Sequence, residues 1–218
     1  MSGRKVAVGV AILAILGVVA FLLLRDGGGI PGLKKEPPPA TAAIKAAQVT
    51  AADHAERPEA GQRATENSTK VLDALNRMYT LALLRPARWP SAEGQPAPLD
   101  ELAGFFADEA KPSVTPNAGA LALMDLGPAF KRVDPTRQEA TRISFVTDED
   151  LSQPFAIATV VFEANGTTEK KADGPVKIVH NATYWLVADP AGYKIVAYTV
   201  ELRADTEVKK AAFGEIGR

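Results

Sequence analysis

The chain has 218 residues, 46% of them hydrophobic, with 25 Lys and Arg against 26 Asp and Glu and no cysteine. The absence of cysteine excludes disulfides, thiol catalysis and thiolate metal sites. A near-neutral balance gives no basis for binding nucleic acid or anionic headgroups.

The first feature in chain order is the run from Val6 to Leu24, 19 residues without a polar side chain. As a helix it reaches roughly 28 Å, close to the ~30 Å of a bilayer's hydrocarbon core. Arg4 and Lys5 precede it, while Arg25 and Asp26 follow and cancel. Positive charge at the amino-terminal flank puts that flank in the cytoplasm and the rest of the chain outside. The rival is a cleaved signal peptide. Its apolar region would be shorter and followed by small residues, whereas Leu22-Leu23-Leu24-Arg25 offers no such site. The expectation is an uncleaved single-pass anchor over 1–25 in a cell (inner) membrane. Without Arg4, Lys5 and Arg25 the count is 22 basic against 26 acidic residues, a net of −4 for the outer part.

Gly27-Gly28-Gly29, Pro31-Gly32 and Pro37-Pro38-Pro39 then read as a spacer. Residues 41–57 are alanine-rich, with Ile44, Gln48, Ala51 and Ala55 at helical spacing, which predicts a solvated helical stalk ended by Pro58. Spacer and stalk together occupy 26–58.

The main domain is expected over 59–203. Val71, Leu72, Leu75, Met78, Tyr79 and Ala82 recur every three or four residues, predicting a principal helix over 59–84 that Arg85-Pro86 ends. Leu99, Leu102, Phe105 and Phe106 predict a short second helix, and Asn117 would cap a third over 118–126. From residue 137 the apolar period changes from 3.6 to 2. Strands are predicted over 137–147, 155–164, 167–171, 176–187 and 193–203, with Asn165-Gly166 as the hairpin turn leading into 167–171 and Asp189-Pro190-Ala191-Gly192 as another turn. Residues 204–218 read as a charged tail or short helix. The fold class is therefore α+β, helices packed on an antiparallel meander.

The low Asn and abundant Ala, Arg and Pro suggest a bacterial chain. The three Asn-x-Thr/Ser tripeptides at Asn67, Asn165 and Asn181 are then ordinary polar positions rather than glycosylation sites. Asp148-Glu149-Asp150 lacks the alternating ligands and turn glycine of a calcium loop. Lys170-Lys171 and Lys209-Lys210 are too sparse for a nucleic-acid track. His54 sits in the stalk. His180 shares a strand face with Ile178, Ala182, Tyr184 and Leu186, where it fills a polar gap in a core. The pattern predicts no catalytic residues, no cofactor and no metal.

In element order, and in the closing pair Tyr184-Trp185-Leu186-Val187 and Tyr193-Lys194-Ile195-Val196, the domain resembles the nuclear transport factor 2-like fold. This is the cone of ketosteroid isomerases, in which helices cover the concave side of a curved sheet. With an anchor in front it is similar to inner-membrane scaffold proteins of type IV secretion systems and to membrane proteins associated with mammalian-cell-entry lipid transporters. The resemblance implies a scaffold that meets other envelope proteins, with homo-oligomers a further possibility. It also implies two alternatives, a cone that holds a small apolar ligand and an isomerase-like enzyme. Their pocket would gather Tyr79, Trp89, Asp100, His180 and Tyr184.

Overall fold

The computed structural model describes residues 38–51, 58–89, 96–146, 155–168, 174–205 and 207–214, with the side chains of 58–60 and 128 excepted. The run from Val6 to Leu24, His54, Asp148-Glu149-Asp150 and Lys170-Lys171 lie outside them. Among the described residues no helix is long and apolar enough to cross a membrane.

In chain order the elements are β1 (Lys45–Ala46), β2 (Val49–Ala51), α1 (Pro58–Leu83), α2 (Leu99–Ala103), α3 (Val114–Leu121), β3 (Phe130–Val146), β4 (Phe155–Thr168), β5 (Val176–Asp189), β6 (Gly192–Ala204) and β7 (Glu207–Phe213). The α+β class holds. Strands β3 to β7 form an antiparallel meander in sequence order, and β1 and β2 add to the free edge of β3 in parallel.

Helix α1 forms because Val71, Ala74, Leu75, Met78, Tyr79 and Ala82 make one buried stripe, each at most 6% exposed. Burying each large member of that stripe contributes about 1.5–3 kcal/mol. The stripe faces Ile178, His180, Ala182, Tyr184 and Leu186 of β5, all at most 5% exposed, together with Ala156 to Ala164 at alternate positions of β4. The core is thus one layer between helices and one sheet face. The alternation in β4 and β5 is the period-2 pattern that the sequence carries.

Four expectations fail, each for a tertiary reason. Residues 41–57 are not a helical stalk where they are described, since 41–51 are extended and belong to the domain, whose compact unit begins at Pro39. Alanine's helix preference is worth only tenths of a kcal/mol per residue, less than burying Ile44, which is 3% exposed. Side chains also read this backbone. Asn76 Oδ1 accepts the Ile44 N–H at 2.6 Å, Thr80 Oγ1 accepts that of Ala42 at 2.9 Å, and Gln138 Oε1 that of Ala43 at 2.7 Å.

Asn165-Gly166 is not a turn. It lies inside β4, paired with Asp134 and Val133 on one side and Lys177 and Val176 on the other. Glycine stands there because the Phe130 ring lies over it; a Cβ would meet two ring carbons at 2.5 Å. The tail expected from residue 204 is not loose where it is described, because Glu207–Phe213 is β7. Finally, Asn117 lies inside α3 rather than capping it, donating to the Ser113 carbonyl at 2.9 Å and to Tyr198 Oη at 3.0 Å.

Strand β7 stops opposite Tyr198, and beyond it the β6 edge is closed by the chain after α2. Ala107 N–H donates to Ile195 O at 2.9 Å, and Ile195 N–H donates to Phe105 O at 3.0 Å. An extra residue, Val196, bulges from β6 between these two coverings.

Candidate functional site

The five residues proposed for a pocket do not assemble as one. Asp100 is exposed in the first turn of α2. Trp89 is fully buried, but its Nε1–H donates to the Leu81 carbonyl at 2.8 Å, so its polar atom is spent on the end of α1.

The other three do meet. Tyr79, on α1, places Oη 2.9 Å from His180 Nδ1, and Tyr184 Oη lies 3.4 Å from Tyr79 Oη. His180 Nε2 lies 3.2 Å from the carbonyl oxygen of Ala120 on α3. A carbonyl only accepts, so Nε2 carries the proton and Nδ1 accepts from Tyr79. The donations then run one way, from Tyr184 to Tyr79 to His180 Nδ1, and from Nε2–H to Ala120. Every polar atom has a partner.

Burial holds the string neutral. It lowers the His180 pKa to about 4, against a weaker upward pull from the Ala120 carbonyl. It raises Tyr79 and Tyr184 well above the ordinary phenol, and Tyr184 adds to the rise at Tyr79. With exposures of 1%, 1% and 0%, the three side chains fill the space between helix and sheet. They fasten α1, α3 and β5 together and present nothing to a substrate. His180 lies on the buried face that it shares by alternation with Ile178, Ala182, Tyr184 and Leu186.

The opposite face of the sheet is open, and strand register divides it into zones. At one end Val146, Phe155 and Val187 lie side by side across β3, β4 and β5, and Ile157, Trp185 and Ala197 form the next row. Phe155, Ile157, Trp185 and Val187 are half-buried and Val146 is 48% exposed, which makes an apolar shelf on the surface. Next comes a row of hydroxyls, in which Thr159, Thr183 and Thr199 are cross-strand neighbours. It is part of an open depression of about 830 Å³ that extends to Asn181, Glu201 and Lys210.

Beyond the depression the face is charged. Arg132 pairs with Asp134 at 2.5 Å, Arg137 with Glu139 at 2.6 Å, and Lys177 with Glu163 at 2.9 Å. Glu201 takes both Lys210, at 2.8 Å, and Arg203, at 3.2 Å. The acids sit low and the bases stand up. Side-chain exposure is 25% at Glu163 and 29% at Glu201, against 65% at Lys177 and 69% at Lys210. Hydrogen bonds from Lys177 and Lys210 respectively hold the Glu163 and Glu201 carboxyls below the usual range.

Lys45, Arg142 and Lys194 also point to this face, as register partners of Glu139, Thr159 and Val187. Among the described residues neither Lys45 nor Arg142 is ion-paired to an acid, while Lys194 lies near Asp108 and helps to hold its carboxyl below the usual range. Lys194 donates to the Gly104 carbonyl, and Arg142 is exposed. Asp189, the remaining acid, accepts the Ala191 N–H at 2.9 Å. Among the described residues eight cations against five anions give the face +3, and every other residue of the chain, which totals −1, together carries −4.

This zoning was missed from the sequence because it exists only across strands. Trp185 reads there as one more residue of a fold-defining strand, and register turns it into the centre of a shelf. Among the described residues no three His, Cys, Asp or Glu converge as metal ligands. Comparison with known protein families, curated proteins and solved structures finds no match to this chain.

Proposed function

We propose that this chain is a single-pass, membrane-anchored protein whose extracytoplasmic α+β domain works by binding other proteins, as a scaffold or accessory subunit of an envelope transport or secretion complex. The observation that carries the reading is the division of polar groups between the two sheet faces. Among the described residues those buried on the helix side are closed on one another in the core, save the Tyr193 hydroxyl, which is buried without a partner. Those on the far side are spread over a broad half-exposed surface with an aromatic centre. A surface of that kind suits recognition, where aromatic and Arg side chains carry most of the binding energy.

The anchor rests on the run from Val6 to Leu24 with Arg4 and Lys5 before it, and the cytoplasmic amino terminus on the same charges. The resemblance to a nuclear transport factor 2-like cone is supported by helices preceding a five-strand meander and by register shifts in β3 and β6, since bulges bend strands. The apolar-ligand alternative is weakened by the side chains of Tyr79, His180 and Tyr184, which occupy the place where such a ligand would sit.

The test is isolation of the tagged full-length chain from detergent-solubilised membranes, with cross-linking before lysis. The reading expects the same one or few envelope proteins in repeated preparations. A monomer that brings down nothing reproducible refutes it.

A further inference from the structure

We propose that the open sheet face is the docking surface for an acidic, extended polypeptide segment of a partner, anchored on the Trp185–Ile157 shelf and on Arg142. The inference rests on the scaffold reading and names the chemistry of what the scaffold holds.

Charge is the first argument. The acids of this face are already committed: four are ion-paired to neighbouring bases and Asp189 is held by a backbone N–H. They also lie lower than their bases. An approaching molecule therefore meets a layer of cations, while most of the chain's acid lies elsewhere. Among the described residues Arg142 and Lys45 have no ion-pair partner on the β3 side of the depression, and an exposed guanidinium is suited to a two-pronged hydrogen bond with a carboxylate.

Shape is the second argument. The depression runs across β4, β5, β6 and β7, from Thr159 to Ala212. Three strand spacings of about 4.8 Å make roughly 14 Å, the length of about four residues of extended chain. Its floor offers the Thr159, Thr183 and Thr199 hydroxyls and the Asn181 amide to a peptide backbone, and the shelf beside it takes apolar side chains. Alternation in an extended segment would send carboxylates toward the cations and apolar groups onto Trp185. A bilayer surface cannot fill a depression. A second copy laid face to face would set +3 against +3, which opposes pairing.

The experiment uses the full-length chain in nanodiscs of zwitterionic lipid. The probe is a fluorescein-labelled twelve-residue peptide alternating Glu with Val, read by anisotropy, with a Lys–Val peptide as its counterpart. The expected result is binding of the acidic peptide alone, weakened by salt and weakened about tenfold in Arg142→Glu. Trp185→Ala is expected to weaken it similarly; Arg142→Glu is expected to melt at the wild-type temperature, and Trp185→Ala somewhat below it but folded at the assay temperature. Equal binding of the two peptides overturns the proposal, and so does acidic-peptide binding that neither variant changes. No peptide binding alongside binding to phosphatidylglycerol vesicles makes the face a lipid surface and overturns it as well. Self-association that Arg142→Glu abolishes, with no peptide binding, assigns the face to a second copy instead. Failure of the scaffold reading is seen separately. If wild type and Arg142→Glu isolate the same partners from membranes, the scaffold stands and this face is wrong. If wild type isolates none, the scaffold falls, and the anisotropy still decides what the face binds.

Discussion

Acidification should weaken this domain through one residue, by an amount that can be worked out. His180 is neutral in the fold, with its pKa lowered by burial from 6.5 to about 4. Between these two values the unfolded chain binds a proton that the native state refuses, so stability falls as pH falls. The contribution is fully present above pH 6.5 and is lost as pH drops toward 4. Taking the two pKa values, the loss relative to pH 7 is about 2 kcal/mol at pH 5 and about 3 kcal/mol at pH 4. Carboxylates also titrate near the lower limit, so the comparison must cancel them. The double variant Tyr79→Phe, His180→Leu removes the buried ring nitrogens and the hydroxyl that serves Nδ1, and leaves the acids of the chain unchanged. The assay is urea unfolding of residues 38–218, followed by tryptophan emission at pH 7, 5 and 4. The stability difference between wild type and variant should shift against wild type by about 2 and then about 3 kcal/mol. A difference that stays constant from pH 7 to pH 4 refutes the reasoning, as does an NMR titration of the His180 ring with a midpoint near 6.5.

Three further substitutions probe the packing. Gly166→Ala puts a methyl against the Phe130 ring, which is 5% exposed and closely packed; a loss of about 1–3 kcal/mol is expected, and a change below half a kcal/mol by urea titration would show that the ring moves freely. Asn76→Ala removes the side chain that bonds both the N–H and the C=O of Ile44, at 2.6 and 3.4 Å; residues 40–51 should become susceptible to brief proteolysis while the rest of the domain resists, and an unchanged digestion pattern contradicts this. Trp89→Phe strands the Leu81 carbonyl, which accepts the indole N–H at 2.8 Å, and should cost about 1–3 kcal/mol; thermal melting at the wild-type temperature would show that this bond holds little.

Much of the architecture could be read from residue order. The principal helix carries six apolar residues at three- and four-residue spacing, and its observed bounds, Pro58–Leu83, differ by one residue at each end from those predicted. The four long strands follow from alternation, and the face of His180 from parity with Tyr184. The misreadings share a cause, in that a local preference was outweighed by a contact distant in sequence. Residues 41–51 looked helical because alanine is a good helix former, but their backbone is held by Asn76, Thr80 and Gln138. Asn165-Gly166 looked like a turn, yet the glycine makes room for a ring 36 positions away in sequence. Strand β7 escaped notice because Lys209-Lys210-Ala211-Ala212 carries no apolar alternation; it forms on the β6 edge, with Lys209 paired to Asp125 at 2.6 Å. The pocket of five failed for want of distances. Asp100 and Trp89 have the right chemistry for such a site, but only register and packing decide which residues meet. The charged face was invisible for the same reason, since its eight cations are scattered from Lys45 to Lys210 in the chain.

The account as a whole depends on an apolar helix preferring lipid to water. Intact-mass measurement of the mature protein, after separation of membranes from aqueous extract, tests this most directly. The account predicts a chain that retains residues 6–24 and leaves the membrane only with detergent. A chain found in the aqueous extract and lacking its first two dozen residues would contradict it.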